Sequence, residues 1–263
     1  MGEVIVITSG KGGVGKTTAT ANIGAGLATS GKSVVLIDAD IGLRNLDIVM
    51  GLENRIVYDL VDLVDGKCRI QQALIRDKRF ENLHLIAAAQ TKEKDAVSTE
   101  QMVALCKELK KEFDFVLIDC PAGIEQGFKN AIAGADSAIV VANPEVSSVR
   151  DADRIIGLLE ASEIKNIKLI LNRLRPDLLK KGEMMSLDDV VEILAVSVLG
   201  IVPDDESIVI STNRGEPASM LSDSKAGEAF RHIVQRILGQ DIPMMELDYD
   251  NGFFKRLKKL FKG

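Results

Sequence analysis

Short apolar runs recur along the chain, with longer helical patterns between them. EVIVITS (3–9), SVVLID (33–38), NLHLIAA (82–88), FVLIDC (115–120), SAIVVAN (137–143), IKLILNR (167–173) and VLGIVPD (198–204) read as strands. Their apolar character is nearly continuous instead of alternating, as expected of strands covered on both faces. Helical patterns fall at 16–29, 99–112, 147–162, 186–195 and 222–238. This alternation predicts an α/β fold, a mainly parallel twisted sheet with helices on both faces. In such sheets ligands bind beyond the carboxyl ends of the strands. The polar residues that end these runs therefore define the candidate site.

Length and composition narrow the picture. The chain has 263 residues and is 46% hydrophobic, with no Pro/Ser-rich linker and no internal repeat. One domain over 1–238 is expected, then a linker over 239–251 and a distinct tail over 252–263. The net charge is −6, yet the last residues carry Lys255, Arg256, Lys258, Lys259 and Lys262 and no acid. Residues 1–250 hold the remaining 28 basic and all 39 acidic residues. So acidic a body argues against nucleic-acid binding through bulk charge. Cys68, Cys106 and Cys120 are an odd set without C-x-x-C spacing, which fits a reducing compartment and no structural zinc. The start, MGEVIVITSG, lacks the basic region of a signal peptide, and Val6 breaks a myristoylation pattern. No run approaches the ~18 apolar residues of a spanning helix, so a soluble protein is expected.

The first strand leads into SGKGGVGKTT, where Gly10, Gly15, Lys16 and Thr17 satisfy the P-loop pattern between a strand and a helix. Glycines let successive N–H groups converge on phosphate oxygens, and the helix amino end adds its positive dipole. Gly10, Lys11, Gly12, Gly13, Val14, Gly15, Lys16, Thr17 and Thr18 are thus the candidate cradle for ATP. Lys16 would reach the β- and γ-phosphates and Thr17 would hold Mg²⁺. Asp38 and Asp40 end the second strand within reach of the γ-phosphate and metal, with Asn45 and Asp47 as weaker candidates. Asp119 ends FVLID, where a carboxylate can hold an Mg²⁺-bound water. Cys120 follows where several ATPases place a glutamate, so a strong base is not evident and slow intrinsic hydrolysis is expected. Gly123 is a candidate hinge. Asn172 and Arg173 end a later strand, the first suited to an adenine edge and the second to stacking on the ring. Pro203 and Asp204 are candidates for the other side of the base.

The stretch KGGVGKTT is identified as the deviant Walker A motif of the ATPase family that includes the MinD and ParA proteins. The resemblance runs over essentially the whole chain. It is strongest to the MinD branch through DIGLRNLDIVMG, DCPAGIEQGF, NPEVSSVRDADRI and the basic tail. The resemblance implies that Lys11 crosses a nucleotide-sandwich homodimer to the partner's phosphates and that Asp40 positions the attacking water. Lys11, Lys16 and Asp40 are then the expected catalytic residues, with ATP and Mg²⁺ as cofactors and Thr17, Asp38 and Asp119 at the metal. It also implies that Glu145, Ser147, Arg150, Asp151 and Asp153 meet a MinC-like division inhibitor and a MinE-like or other activating partner. Hydrolysis would depend on such a partner and on membrane. A ParA-like cargo-positioning ATPase, a flagellar-number regulator and a nucleotide-gated scaffold with negligible turnover are the alternatives.

The tail has a pattern of its own. On a helical wheel Phe253, Phe254, Leu257, Leu260 and Phe261 cluster within roughly 120°, and the cations fill the other side. A helix of about 11 residues spans ~16 Å, too short to cross a ~30 Å hydrocarbon layer. It suits an interfacial position on anionic lipid, and the resemblance implies that this is the inner face of the cell membrane. One such tail binds weakly, whereas two held together gain avidity of about 10²–10⁴-fold.

Overall fold

The computed structural model describes residues 2–93 and 96–245. The amphipathic tail, with Phe253, Phe254, Leu257, Leu260 and Phe261, lies outside the described residues. The strands are β1 (Glu3–Thr8), β2 (Val34–Asp38), β3 (Ile75–Arg76), β4 (Leu83–Ile86), β5 (Phe115–Asp119), β6 (Ser137–Ala142), β7 (Asn166–Leu174) and β8 (Ser197–Pro203). The first helices are α1 (Lys16–Thr29), α2 (Leu46–Met50), α3 (Leu60–Val64), α4 (Ile70–Ala73) and α5 (Thr99–Leu109). They are followed by α6 (Gln126–Ile132), α7 (Val146–Ala161), α8 (Pro176–Lys180), α9 (Leu187–Leu194), α10 (Ser207–Asn213) and α11 (Lys225–Ile237).

All seven strands expected from the apolar runs are present and, with the unexpected two-residue β3, form one sheet in the order β3-β4-β2-β5-β1-β6-β7-β8. Among the described residues every pairing is parallel except that of β3 with β4. Alternate residues of each strand point to opposite faces. Val4, Val6, Val35, Ile37, Val116 and Ile118 belong to one core cluster, together with residues of α5, α6, α7 and α9. Ile5, Ile7, Val34, Leu36 and Leu117 belong to the other, with α1, α2 and α11. Two covered faces explain why the runs are continuous.

The sheet edges differ from its centre. At one end β3 contributes two residues, Ile75 and Arg76. At the other, β8 loses register with β7 between Leu169 and Ile170 and again between Leu171 and Leu174. Residues 239–245, expected to be linker, fold back on the body: Met245 packs against the core cluster that contains α1 and α11.

Candidate nucleotide site

The chain leaves β1 and bends through Gly13 (φ 79°) and Gly15 (φ 98°) before α1 begins at Lys16. No side chain caps the amino end of α1 and no acid lies in its first turn. The convergent N–H groups and the helix dipole are thus left to attract an anion. Two of the loop's glycines are also demanded by close approach. A Cβ on Gly15 would overlap the Asn172 amide, and one on Gly10 would overlap the backbone of Asp151 in α7. Gly10 therefore seats the phosphate loop directly on α7. Exposed on that helix or at its start are Glu145, Ser147, Arg150 and Asp153, with Asp151 half-buried.

Lys16 and Asp119 meet at the mouth of this loop. Lys16 Nζ lies 2.7 Å from Asp119 Oδ1, with side chains 7% and 1% exposed. Burial opposes the Lys16 ammonium, but the charge and hydrogen bond of Asp119 more than offset it, so its pKa is raised. Thr20 Oγ1 donates to the same carboxylate oxygen at 3.3 Å. The other oxygen, Asp119 Oδ2, is buried and has no hydrogen-bond partner. Lys16 Nζ also lies 3.5 Å from the Thr17 hydroxyl, so Thr17 and the Asp119 carboxylate, with its orphaned oxygen, meet at one ammonium and form a hard donor set that fits Mg²⁺.

Asp38 and Asp119 are paired residues on the neighbouring strands β2 and β5. Burial, and then the Asp119 charge, push the Asp38 carboxyl up to about 7. Its oxygens accept N–H groups of Asp40 at 3.0 Å and of Asn45 and Leu46 at 3.1 Å. Asp38 thus anchors the loop that carries Asp40. Asp40 itself is half-buried on that loop. Asp47 is buried and paired with Arg44 Nε at 3.0 Å. Cys120 is fully buried, and its burial pushes the thiol up to about 12. It supplies neither base nor nucleophile. The Gly123 N–H donates to Ser9 O at 3.3 Å, tying the loop after β5 to the phosphate loop.

The residues assigned to the base divide differently. Asn172 Nδ2 donates to Val14 O at 2.7 Å, so this amide braces the phosphate loop. Arg173 is exposed with φ 56°, Pro203 is buried, and the exposed Asp204 donates its N–H to Leu174 O at 3.0 Å. Asn143 was not among the residues the sequence singled out. With its amide nitrogen turned inward it reaches Val14 O and Asn172 O at 3.3 Å. A polar residue ending the run SAIVVAN was the available signal. Asn172→Ala is expected to remove the shorter of the two donors to the Val14 carbonyl, leaving the 3.3 Å contact from Asn143, and so to lower stability by about 1–3 kcal/mol and weaken nucleotide affinity. Thermal melting and titration calorimetry check both effects; an unchanged melting temperature contradicts the bracing role.

Residues 5–218 match the CobQ/CobB/MinD/ParA nucleotide binding domain family. The chain is 56% identical to the septum site-determining protein MinD of Bacillus subtilis over 99% of its own length and 98% of the relative's. MinD in the MinC:MinD cell division protein complex of Aquifex aeolicus superimposes with a TM-score of 0.87 at 48% identity, covering 93% of this chain and 99% of that one. MinD of Pyrococcus horikoshii, solved with Mg-ADP, does so with a TM-score of 0.82 at 29% identity, covering 92% and 100%.

Proposed function

We propose, from the premise that the chain belongs to the MinD septum site-determining proteins of the CobQ/CobB/MinD/ParA nucleotide-binding family, that it is an ATP-switched, membrane-associated dimer that places the division septum. The observation that carries this reading is the Lys16–Asp119 ion pair at the mouth of a glycine-built loop. Lys16 is held where it can exchange a carboxylate for the phosphates of ATP. Thr17 and the freed Asp119 would then hold Mg²⁺, as the Mg-ADP form of the Pyrococcus horikoshii relative supports. Bound Mg²⁺ neutralises charge on the phosphate oxygens, as in other P-loop ATPases.

Lys11, exposed on the loop, faces outward for a second copy, and Asp40 orients the water that attacks. Cys120 stands where a glutamate base would act and cannot replace it, so hydrolysis is slow until a partner completes the site. Glu145, Ser147, Arg150, Asp151 and Asp153 on and before α7 form the surface for a MinC-like inhibitor and an activating partner. The MinC:MinD assembly of the Aquifex aeolicus relative supports the first of these. Closing two subunits around ATP brings two weak tails together on the inner face of the membrane. Sedimentation with anionic vesicles tests this: the full chain is expected to pellet with ATP and not with ADP, and a chain lacking 252–263 with neither. Equal pelleting of the full chain with both nucleotides contradicts the switch.

A further inference from the structure

Helix α11 ends beside the amino ends of the strands. Ile237 lines a small cavity there with Glu3, Ser137 and Asn166. The nucleotide loop lies at the opposite ends of the same strands. α11 therefore carries the chain away from the phosphates and delivers the C-terminal segment to the far side of the domain. What happens next is fixed by one side chain.

Arg236, in the last turn of α11, points all its used donors at backbone carbonyls. Nε donates to Ile242 O at 2.9 Å, one terminal nitrogen to Pro243 O at 2.7 Å, and the other to Leu199 O of β8 at 2.9 Å. One planar fork thus ties residues 242 and 243 to the sheet. Two features support a built clamp. α11 can sit close enough because residue 200 is glycine: a Cβ there would overlap Ile233 and lie 3.5 Å from Arg236. Beyond the clamp, Met245 packs into the core cluster, so the strap is held at both ends.

We propose that Arg236 is the positioning residue of the lipid-binding tail, because it fixes where the C-terminal basic segment departs and how much chain separates it from the body. The proposal rests on the membrane reading given above. With the clamp, seven residues (246–252) lie between Met245, the last described residue and one that packs on the core, and Phe253; without it, fourteen (239–252) follow the end of the helix at Leu238. Effective concentration for pairing two attached binders falls as about the −3/2 power of tether length, so this doubling lowers it about 3-fold. The partner chemistry is an anionic phospholipid surface, met by five cations and an apolar stripe on each tail.

The test measures ATP-dependent affinity for vesicles of phosphatidylglycerol and phosphatidylethanolamine, using the full chain. Arg236→Ala is expected to weaken binding about 3-fold while ATP binding and ATP-dependent dimerisation stay as in the wild type. Arg236→Lys keeps the charge but lacks the fork, so it is expected to weaken binding equally. Deleting 239–245 in the Arg236→Ala background restores a seven-residue separation and is expected to recover most of the affinity. Wild-type affinity in both point variants, recovery by Lys, or no recovery on shortening overturns the proposal. Hydrogen exchange over 240–245 decides the clamp without lipid: equal protection in wild type and Arg236→Ala overturns it. If the clamp is present but the wild type ignores vesicles with ATP, the membrane reading itself has failed and the proposal falls with it.

Discussion

Lys16→Ala is expected to abolish measurable ATP·Mg²⁺ binding and, separately, to destabilise the nucleotide-free protein. The two effects share one cause. Lys16 is buried and ion-paired with Asp119 at 2.7 Å. Removing one member of a buried pair strands the other charge, at a cost of about 3–5 kcal/mol. Toward nucleotide, truncating one partner of a buried charged hydrogen bond costs ~2–5 kcal/mol, which lowers affinity by about 30- to 4,000-fold. The double variant Lys16→Ala/Asp119→Ala separates the effects. It removes both charges together, so melting temperature is expected to recover while binding does not. Titration calorimetry showing wild-type ATP·Mg²⁺ affinity in Lys16→Ala removes the assignment of the phosphate site.

The second large effect is pH dependence through Asp38. Its carboxyl is raised from 3.8 to about 7, mainly by burial and then by Asp119. The folded form therefore binds a proton more tightly than the unfolded chain. Its contribution is fully present below pH ~4 and is lost as pH rises through about 7. Each tenfold gain in proton affinity is worth ~1.4 kcal/mol, so the ceiling of this loss is about 4 kcal/mol. Denaturant melts from pH 4 to 8 are expected to show the nucleotide-free wild type weakening with pH. Asp38→Asn, which cannot ionise, is expected to flatten that slope. A slope of the same size in Asp38→Asn would place the titration elsewhere. Mg²⁺ held at Thr17 and Asp119, as proposed above, would favour the ionised form of Asp38, which is paired with Asp119 on the neighbouring strand. Binding Mg·ATP at pH 7 is therefore expected to release a fraction of a proton, detectable as a calorimetric heat that changes with the buffer.

The long elements and the phosphate loop were legible because each carries a strong local signal. Seven apolar runs became seven strands, and the spacing of Gly10, Gly15, Lys16 and Thr17 placed the loop between β1 and α1. The misses have a common origin. Helices α2, α3 and α4 span five, five and four residues, too few to show a 3.6-residue period. Strand β3 has two residues and forms by pairing with β4. Asn172 reads as a site residue from the sequence, but its bond to the phosphate loop does not. Its partner, Val14, is 158 positions away, and a sequence pattern does not report which polar group a fold brings opposite. The same holds for Asp38. Its place after a strand was visible, but its three backbone partners depend on how residues 40–46 turn.

The two ends of the sheet bear on how densely such molecules can crowd. An open strand edge is a template on which a second chain can add a strand, and so a route to irreversible aggregation. Here β3 offers only Ile75 and Arg76. At the opposite edge β8 is irregular, ends in Pro203, and has the Leu199 carbonyl already taken by Arg236. Bulges and proline both spoil the flat hydrogen-bonding row that strand addition needs. Copies pressed together at high local density are therefore steered away from backbone zippering and toward contacts between side chains, which can be undone.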